Sequence, residues 1–355
     1  MKLKLFIFVL FILPSIIYGK KPPRNLSNRV QHIEKLAAKE GTINEVLILK
    51  KYGYLGDGAY GLVYEGTFIE GNRTVAIKIV SDYYLEECER EFKMYCYLEA
   101  YRNETVKKYG IPVLYYYGRW HNYILIALTM FDQTLQEILS GLTRSVQFEP
   151  VDVLILLRDF VFQTKYIHSH GVRHDDIKPE NIMIQGHRSF LIDFSGSSKM
   201  NEDNYHYTEL FASKRALESK NRFAIDDYES FLYTISKIMH KDLFFPTNEN
   251  NEKSKCELSD DGFEKIIKAF AETVWPNDGI FKEFPNYDEL EEMISREITQ
   301  SVSLVHFISE GDWPARNIKD IPEPKDMNFT NFDYPPIPAD LSLRKSSKRS
   351  FESLK

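Results

Sequence analysis

Three glycines within six positions, Gly56, Gly58 and Gly61, interrupt a segment whose flanks otherwise read as strand. From Tyr52 to Ile79 the pattern is strand, glycine turn, strand, a second turn at Glu70-Gly71-Asn72, and strand again. A dinucleotide-binding crossover needs a helix after its glycine loop, and here a strand follows Gly61, which excludes that fold. The loop therefore belongs to a hairpin. Three more motifs follow in order: Val75-Ala76-Ile77-Lys78, then His174-Asp175-Asp176-Ile177-Lys178-Pro179-Glu180-Asn181, then Asp193-Phe194-Ser195. Each alone is weak: an ordinary hairpin turn would explain the glycines, a surface lysine Lys78, and loop-capping polar residues the other two motifs. Together, at these spacings, they are the parts that hold a nucleoside triphosphate and move its last phosphoryl group.

The remaining periodicity supplies a frame for these motifs. Leu85, Cys88, Phe92, Tyr95 and Leu98 recur at three or four residues and predict a helix with Glu91 beside its apolar stripe. Val113–Trp120 and Tyr123–Thr129 read as two strands joined at His121-Asn122, completing a five-stranded sheet with one helix. Beyond Met130 the helical period takes over. Val153, Leu156, Leu157, Phe160, Val161, Thr164 and Ile167 trace one face of a long helix ending at Gly171, and Phe231, Leu232, Ile235, Ile238 and Met239 trace another after Asp227. Residues 245–262 read as a polar surface insertion.

The chemistry asks for these residue types at these places. Gly56, Gly58 and Gly61 let a loop fold onto phosphates where side chains would collide with the ligand or forbid the turn, and Val63 just beyond would cover an adenine. Leu55 and Ala76 complete the expected nucleotide-contacting set. Lys78, at the end of an apolar strand, would meet the α and β phosphates, and Glu91 would pair with it and fix it. Asp176 would accept or orient the proton of the attacking hydroxyl, Lys178 would neutralise charge on the transferring group, and Asn181 and Asp193 would ligate Mg²⁺.

Bulk properties narrow the setting. The chain has 355 residues, 43% hydrophobic and 14% aromatic, enough for a two-lobed folded unit with tails. Its net charge of −7 offers no general attraction to nucleic acid. Lys2 and Lys4 precede a mostly apolar run, Leu5 to Ile17, and Gly19, the pattern of a secretory signal over residues 1–19. The run falls short of the ~20 residues that span a bilayer, so a secreted protein without stable membrane insertion is expected. Cys88, Cys96 and Cys256 are too few and too scattered for a disulfide framework. Sequons at Asn25, Asn72, Asn103 and Asn328 matter only on a secretory route. After a lead-in over 20–42, the folded domain is expected over 43–300, and a proline-rich then basic tail over 301–355 is expected to be disordered.

The motifs, with Glu91-Phe92-Lys93-Met94-Tyr95, Gly110-Ile111-Pro112, Tyr166-Ile167-His168-Ser169 and Asp226-Asp227-Tyr228-Glu229-Ser230, resemble a eukaryotic protein kinase catalytic domain and, within it, the casein kinase I group. The resemblance implies an α+β bilobal fold, with a small antiparallel sheet lobe carrying one helix (43–130) and a larger, mainly helical lobe (131–300). It implies ATP and Mg²⁺ as cofactors, protein substrates phosphorylated on serine or threonine, and a monomer. It also places Leu128 as gatekeeper, the backbone of Thr129 and Phe131 at the adenine edge, and Asp227 under the catalytic loop. Two departures stand out. Asp175 replaces the arginine before the catalytic aspartate, and Ser195 replaces the glycine after Asp193-Phe194. They keep a second reading in view, a kinase-shaped scaffold that binds nucleotide without turnover. A small-molecule phosphotransferase, which shares the His-x-Asp loop, is disfavoured by Lys178-Pro179. Lys214, Arg215, Lys220 and Arg222, if they line the acceptor groove, would favour acidic or already phosphorylated peptides. The basic run Arg344–Arg349 reads as a solvated end, with nuclear targeting as the sharper alternative.

Overall fold

Strand β3 (Arg73–Ser81) sets the geometry of the small lobe, because Val75, Ile77 and Ile79 are fully buried on one face while Ala76 and Lys78 alternate onto the other. It lies central in an antiparallel sheet with β1 (Leu47–Asp57), β2 (Gly61–Phe68), β4 (Leu114–Trp120) and β5 (Tyr123–Thr129), in the order β1-β2-β3-β5-β4. The computed structural model describes residues 24–58, 60–141, 148–200, 202, 206–239, 262–277 and 279–302. The signal at 1–19, nearly all of the insertion at 245–262 and all but the first two residues of the tail at 301–355 lie outside these.

One element was not anticipated. Helix α1 (Arg24–Glu40) occupies most of the stretch read as a lead-in, and it buries Val30, Ile33 and Ala37 in the core that β1 shares. Its end is fastened by Glu40, which accepts from Trp120 Nε1 at 2.7 Å and lies 2.5 Å from His121 Nε2 at the β4–β5 turn. The folded unit thus begins well before Ile43. Helix α2 (Leu85–Tyr97) then packs Cys88, Phe92 and Tyr95 inward, with Phe92 stacked on Tyr117 at 4.3 Å.

The larger lobe is built on α4 (Pro150–Ser169), which follows a strand β6 (Gln133–Thr134) and helix α3 (Leu135–Gly141). Pro150 starts α4 where a missing N–H is harmless, and Asp152 accepts from Glu149 N at 3.2 Å. Gly171, at φ +70°, ends the helix and turns the chain into β7 (Val172–Arg173), a conformation that a Cβ disfavours. Phe160 of α4 stacks on Phe231 of α6 (Ala224–Ile238) with centroids 3.8 Å apart, and Phe270 of α7 (Gly262–Val274) closes the cluster. Helix α8 (Tyr287–Val302) packs along α4. Two further strands, β8 (Ile182–Gln185) and β9 (Arg188–Leu191), form a hairpin joined by β6. β10 (Ser198–Lys199) pairs with β7. The result is the expected bilobal fold, a sheet lobe followed by a helical lobe. No described helix is long and apolar enough to cross a membrane.

Candidate active site

Register puts the first group of site residues in a row. Val63 stands opposite Lys78, and Ala76 opposite Leu128, so Val63, Ala76, Lys78 and Leu128 share the sheet face that the buried Val75, Ile77 and Ile79 do not. Lys78 Nζ donates to Glu91 Oε2 at 2.8 Å and to Asp193 Oδ1 at 3.1 Å, joining β3, α2 and the loop after β9. Burial alone would lower the ammonium's pKa, but the two carboxylates outweigh it and hold Lys78 above the ordinary lysine range. Asp193 shows the opposite balance. Burial would raise it, yet the Lys78 charge and the bonds from Ser195 and Lys78 hold it well below the usual carboxylate range. Glu91, 1% exposed, is pushed up because burial outweighs Lys78, and its Oε1 is buried without a hydrogen-bond partner. Of the two carboxylates, Glu91 is the one that takes a proton more readily.

Asp193 adopts φ +62°, ψ +72°, and is held there by the next residue: Phe194 is fully buried, edge-on to Tyr95 at 5.3 Å and 4.9 Å from His174. Ser195, where glycine was expected, needs no positive φ, and its Oγ donates to Asp193 Oδ1 at 2.7 Å. The substitution therefore orients the carboxylate instead of freeing the loop.

The second group sits on the loop after β7. Asp227, in the first turn of α6, accepts from the backbone N–H groups of His174 and Asp175 at 2.9 Å each, while His168 Nε2 lies 3.0 Å from it. This pins the loop to the helical core. Asp176 Oδ2 then receives Lys178 Nζ at 2.6 Å and Asn181 Nδ2 at 3.1 Å, and Asn181 Nδ2 also donates to Asp176 O at 2.9 Å. Ile192 N donates to Asn181 O at 3.0 Å, which ties this loop to the strand leading into Asp193. A Cβ built on Gly196 would lie 3.5 Å from that of Asp176, so the two loops are in contact.

Thr208 is a residue that sequence reasoning missed. Its Oγ1 accepts from Lys178 Nζ at 2.7 Å and donates to Asp176 Oδ1 at 2.7 Å. It lies in a stretch without periodicity, and the only sequence signal was a hydroxyl residue between Asp193 and α6. Asp175 does not crowd Asp176. Its carboxylate is engaged by Arg173, Arg222 and Ser198, a partner set separate from that of Asp176.

The glycine loop corrects one expectation. Gly56 and Gly58 have ordinary φ, and a Cβ on either would meet nothing within 4 Å, so the turn itself does not require them. What they leave is open space above the sheet. Gly61 is different: a Cβ there would lie 2.5 Å from Ile79 O and 2.8 Å from Val80 Cγ2. Leu55 is half-buried on β1 beside this loop. Thr129 spends its backbone N–H on Val113 O at 3.0 Å, and the Phe131 ring is buried against Phe190 at 4.3 Å.

The oxygens of Asp193 and Asn181 fit a magnesium ion that arrives with phosphate, because Mg²⁺ takes one or two protein ligands and completes its shell with phosphate and water. Among the described residues no cluster of three or more His, Cys, Asp or Glu is arranged to hold a metal by itself. The four basic residues expected at the acceptor groove do not form a free basic face. Lys214 and Lys220 both reach Glu218, at 3.9 and 2.6 Å, Arg215 pairs with Asp226 at 3.3 Å and lies over Phe281, and Arg222 is buried beside Asp175.

Comparison with known proteins agrees with this fold. The chain is 25% identical over 274 residues to the probable serine/threonine-protein kinase FPV226 of fowlpox virus (strain NVSL), covering 68% of this chain and 93% of that one. The solved structure of vaccinia related kinase 3 superposes with a TM-score of 0.53 over 74% of this chain and 88% of that one, at 12% identity, a likeness of fold alone. Residues 49–310 match the protein kinase domain family, and with nearly three quarters of its length inside that match the chain belongs to the protein kinase family.

Proposed function

We propose that this protein transfers the γ-phosphoryl group of ATP to serine or threonine hydroxyls of protein substrates, as a casein kinase I-like enzyme secreted from the cell that makes it. The observation that carries the reading is the convergence of two bonded groups, Lys78–Glu91–Asp193 and Asp176–Lys178–Asn181, on loops that touch at Gly196. Lys78, fixed by Glu91, holds the α and β phosphates. Asp193 and Asn181 would hold the Mg²⁺, which would neutralise charge on the phosphate oxygens. Asp176 takes the proton of the acceptor hydroxyl as its oxygen bonds to the γ phosphorus; the bond from that phosphorus to the bridging oxygen breaks and ADP leaves. Lys178 offsets the charge that develops on the transferred group.

Lys178 and the likeness to the probable serine/threonine-protein kinase of fowlpox virus support serine and threonine as acceptors. The motif wording supports the casein kinase I group, and residues 1–19 support secretion. The test is phosphate transfer to a casein-like acceptor by the purified chain with ATP and Mg²⁺, set beside Asp176→Asn. We expect the variant to lose about 100-fold or more; equal signal from both rejects phosphotransfer through Asp176. Sequencing the N-terminus of protein collected from the culture medium tests secretion, with a start after Gly19 expected and an intact Met1 against it.

A further inference from the structure

Among the described residues Arg173 is the largest side chain with under 2% exposure, and every N–H of its guanidinium is used. Nε donates to Asp175 Oδ1 at 3.2 Å, Nη1 to Met200 O at 3.0 Å and Arg222 O at 2.6 Å, and Nη2 to Ser198 Oγ at 2.8 Å and Glu202 O at 2.9 Å. Four of these acceptors lie in the segment that runs from Asp193 to α6 and carries Thr208. Arg222 approaches the same Asp175 oxygen at 3.5 Å and donates to His206 O at 3.2 Å, two residues before Thr208. Ser198 donates to the other oxygen of Asp175, and β10 pairs with β7 over the same two positions. Both sides of the Thr208 segment are thus tied to two buried guanidiniums that share one buried carboxylate.

A buried guanidinium pair needs an anion between its members, and kinases commonly obtain one by phosphorylating this segment. Here the anion is part of the chain. We propose that Arg173, Asp175 and Arg222 form an internal clamp that orders the acceptor side of the site without a phosphoryl group, with Arg173 and Asp175 as positioning residues that act through the segment holding Thr208. The inference rests on the proposed reading of Asp176 as the residue that meets the acceptor hydroxyl, beside which Thr208 is held. Asp175 sits at φ +65°, so Asp175→Gly removes the carboxylate while relaxing the backbone, and Asp175→Asn keeps the shape without the charge.

The experiment uses the full chain, treated with phosphatase. Wild type should keep its peptide kcat/KM within about twofold, whereas both variants should show a peptide KM raised about tenfold or more with ATP KM nearly unchanged. Added acetate should restore Asp175→Gly, because a small carboxylate can fill the vacated position; a side chain that only filled space would not be replaced this way. Trypsin supplies a readout independent of transfer: cleavage within 198–222 should be faster in Asp175→Gly and slow again with acetate. Wild type that transfers nothing while the trypsin pattern holds would overturn the proposed function and leave the clamp standing. Unchanged KM and unchanged cleavage in both variants would overturn the clamp, as would loss of wild-type activity on phosphatase treatment with phosphate mapped to 198–222. Should neither variant show a thermal transition, the wild-type phosphatase result decides.

Discussion

Thr208 Oγ1 donates to Asp176 Oδ1 at 2.7 Å while accepting from Lys178 Nζ at the same distance, so one hydroxyl bridges the carboxylate and the ammonium on which transfer depends. A hydrogen bond to a charged group contributes about 1.5–3 kcal/mol, so Thr208→Val should lower kcat/KM for a peptide by about 10- to 100-fold. Thr208→Ser, which restores the hydroxyl, should recover most of it. Steady-state kinetics with both variants would check this, and equal rates for valine and serine would mean the bridge is idle.

The pH dependence of stability has a separate source in Asp159. This carboxyl is fully buried, and burial pushes its pKa up to about 6, against the bonds from Ser189 N at 2.8 Å and Ser189 Oγ at 3.4 Å. A group whose pKa is raised by folding contributes its stability below the unfolded value, about 4 for an aspartate, and loses it as pH rises through the folded value. Stability should therefore fall between about pH 4 and about pH 6, by roughly 3 kcal/mol at most from this group. Thermal melts across that window should show the fall in wild type and a flatter profile in Asp159→Asn. Asp193 runs the other way, its depressed pKa contributing stability that is lost only as pH falls below the ordinary carboxylate range.

The glycine loop separates fold from ligand. Gly61→Ala would drive a methyl to 2.5 Å from Ile79 O, and overpacking of this kind costs about 1–3 kcal/mol, visible as a lower Tm. Gly56→Ala and Gly58→Ala meet nothing within 4 Å and should leave Tm unchanged while raising the KM for ATP. If all three lower Tm alike, the open space over Gly56 and Gly58 is not a ligand space.

What could be read in the sequence was whatever chemistry fixes by residue type and spacing. Lys78, Glu91 and Asp193 are brought together across 115 positions because strand alternation, a helical stripe and a buried Phe194 each dictate a direction. The five strands followed from β-branched runs between turns. Thr208 and Arg173 stayed hidden because one acts from irregular backbone and the other from a two-residue strand, too short for a period to show, and most of their partners lie 25 to 49 residues away. The pairing of the basic residues near Lys214 was not legible for a related reason, since composition does not reveal that Glu218, Asp226 and Asp175 face them.

Helix α1 did not stand out because Val30, Ile33, Leu36 and Ala37 recur at helical spacing inside a short run dominated by polar and charged residues, yet Val30, Ile33 and Ala37 are buried on the small lobe and Leu36 packs half-buried beside them. Its attachment through Glu40 to Trp120 and His121 reaches the turn between β4 and β5, and Ile33 is 1% exposed at its centre. Ile33→Ala should destabilise by about 2–5 kcal/mol, the usual range for emptying such a site. Because β1 carries the strand into the glycine loop and α1 packs on β1, the variant should also weaken ATP binding near its lowered Tm, which ATP-dependent thermal shifts would measure. A Tm unchanged by Ile33→Ala would mean that α1 contributes nothing to the small lobe, and that the folded unit does begin near Ile43.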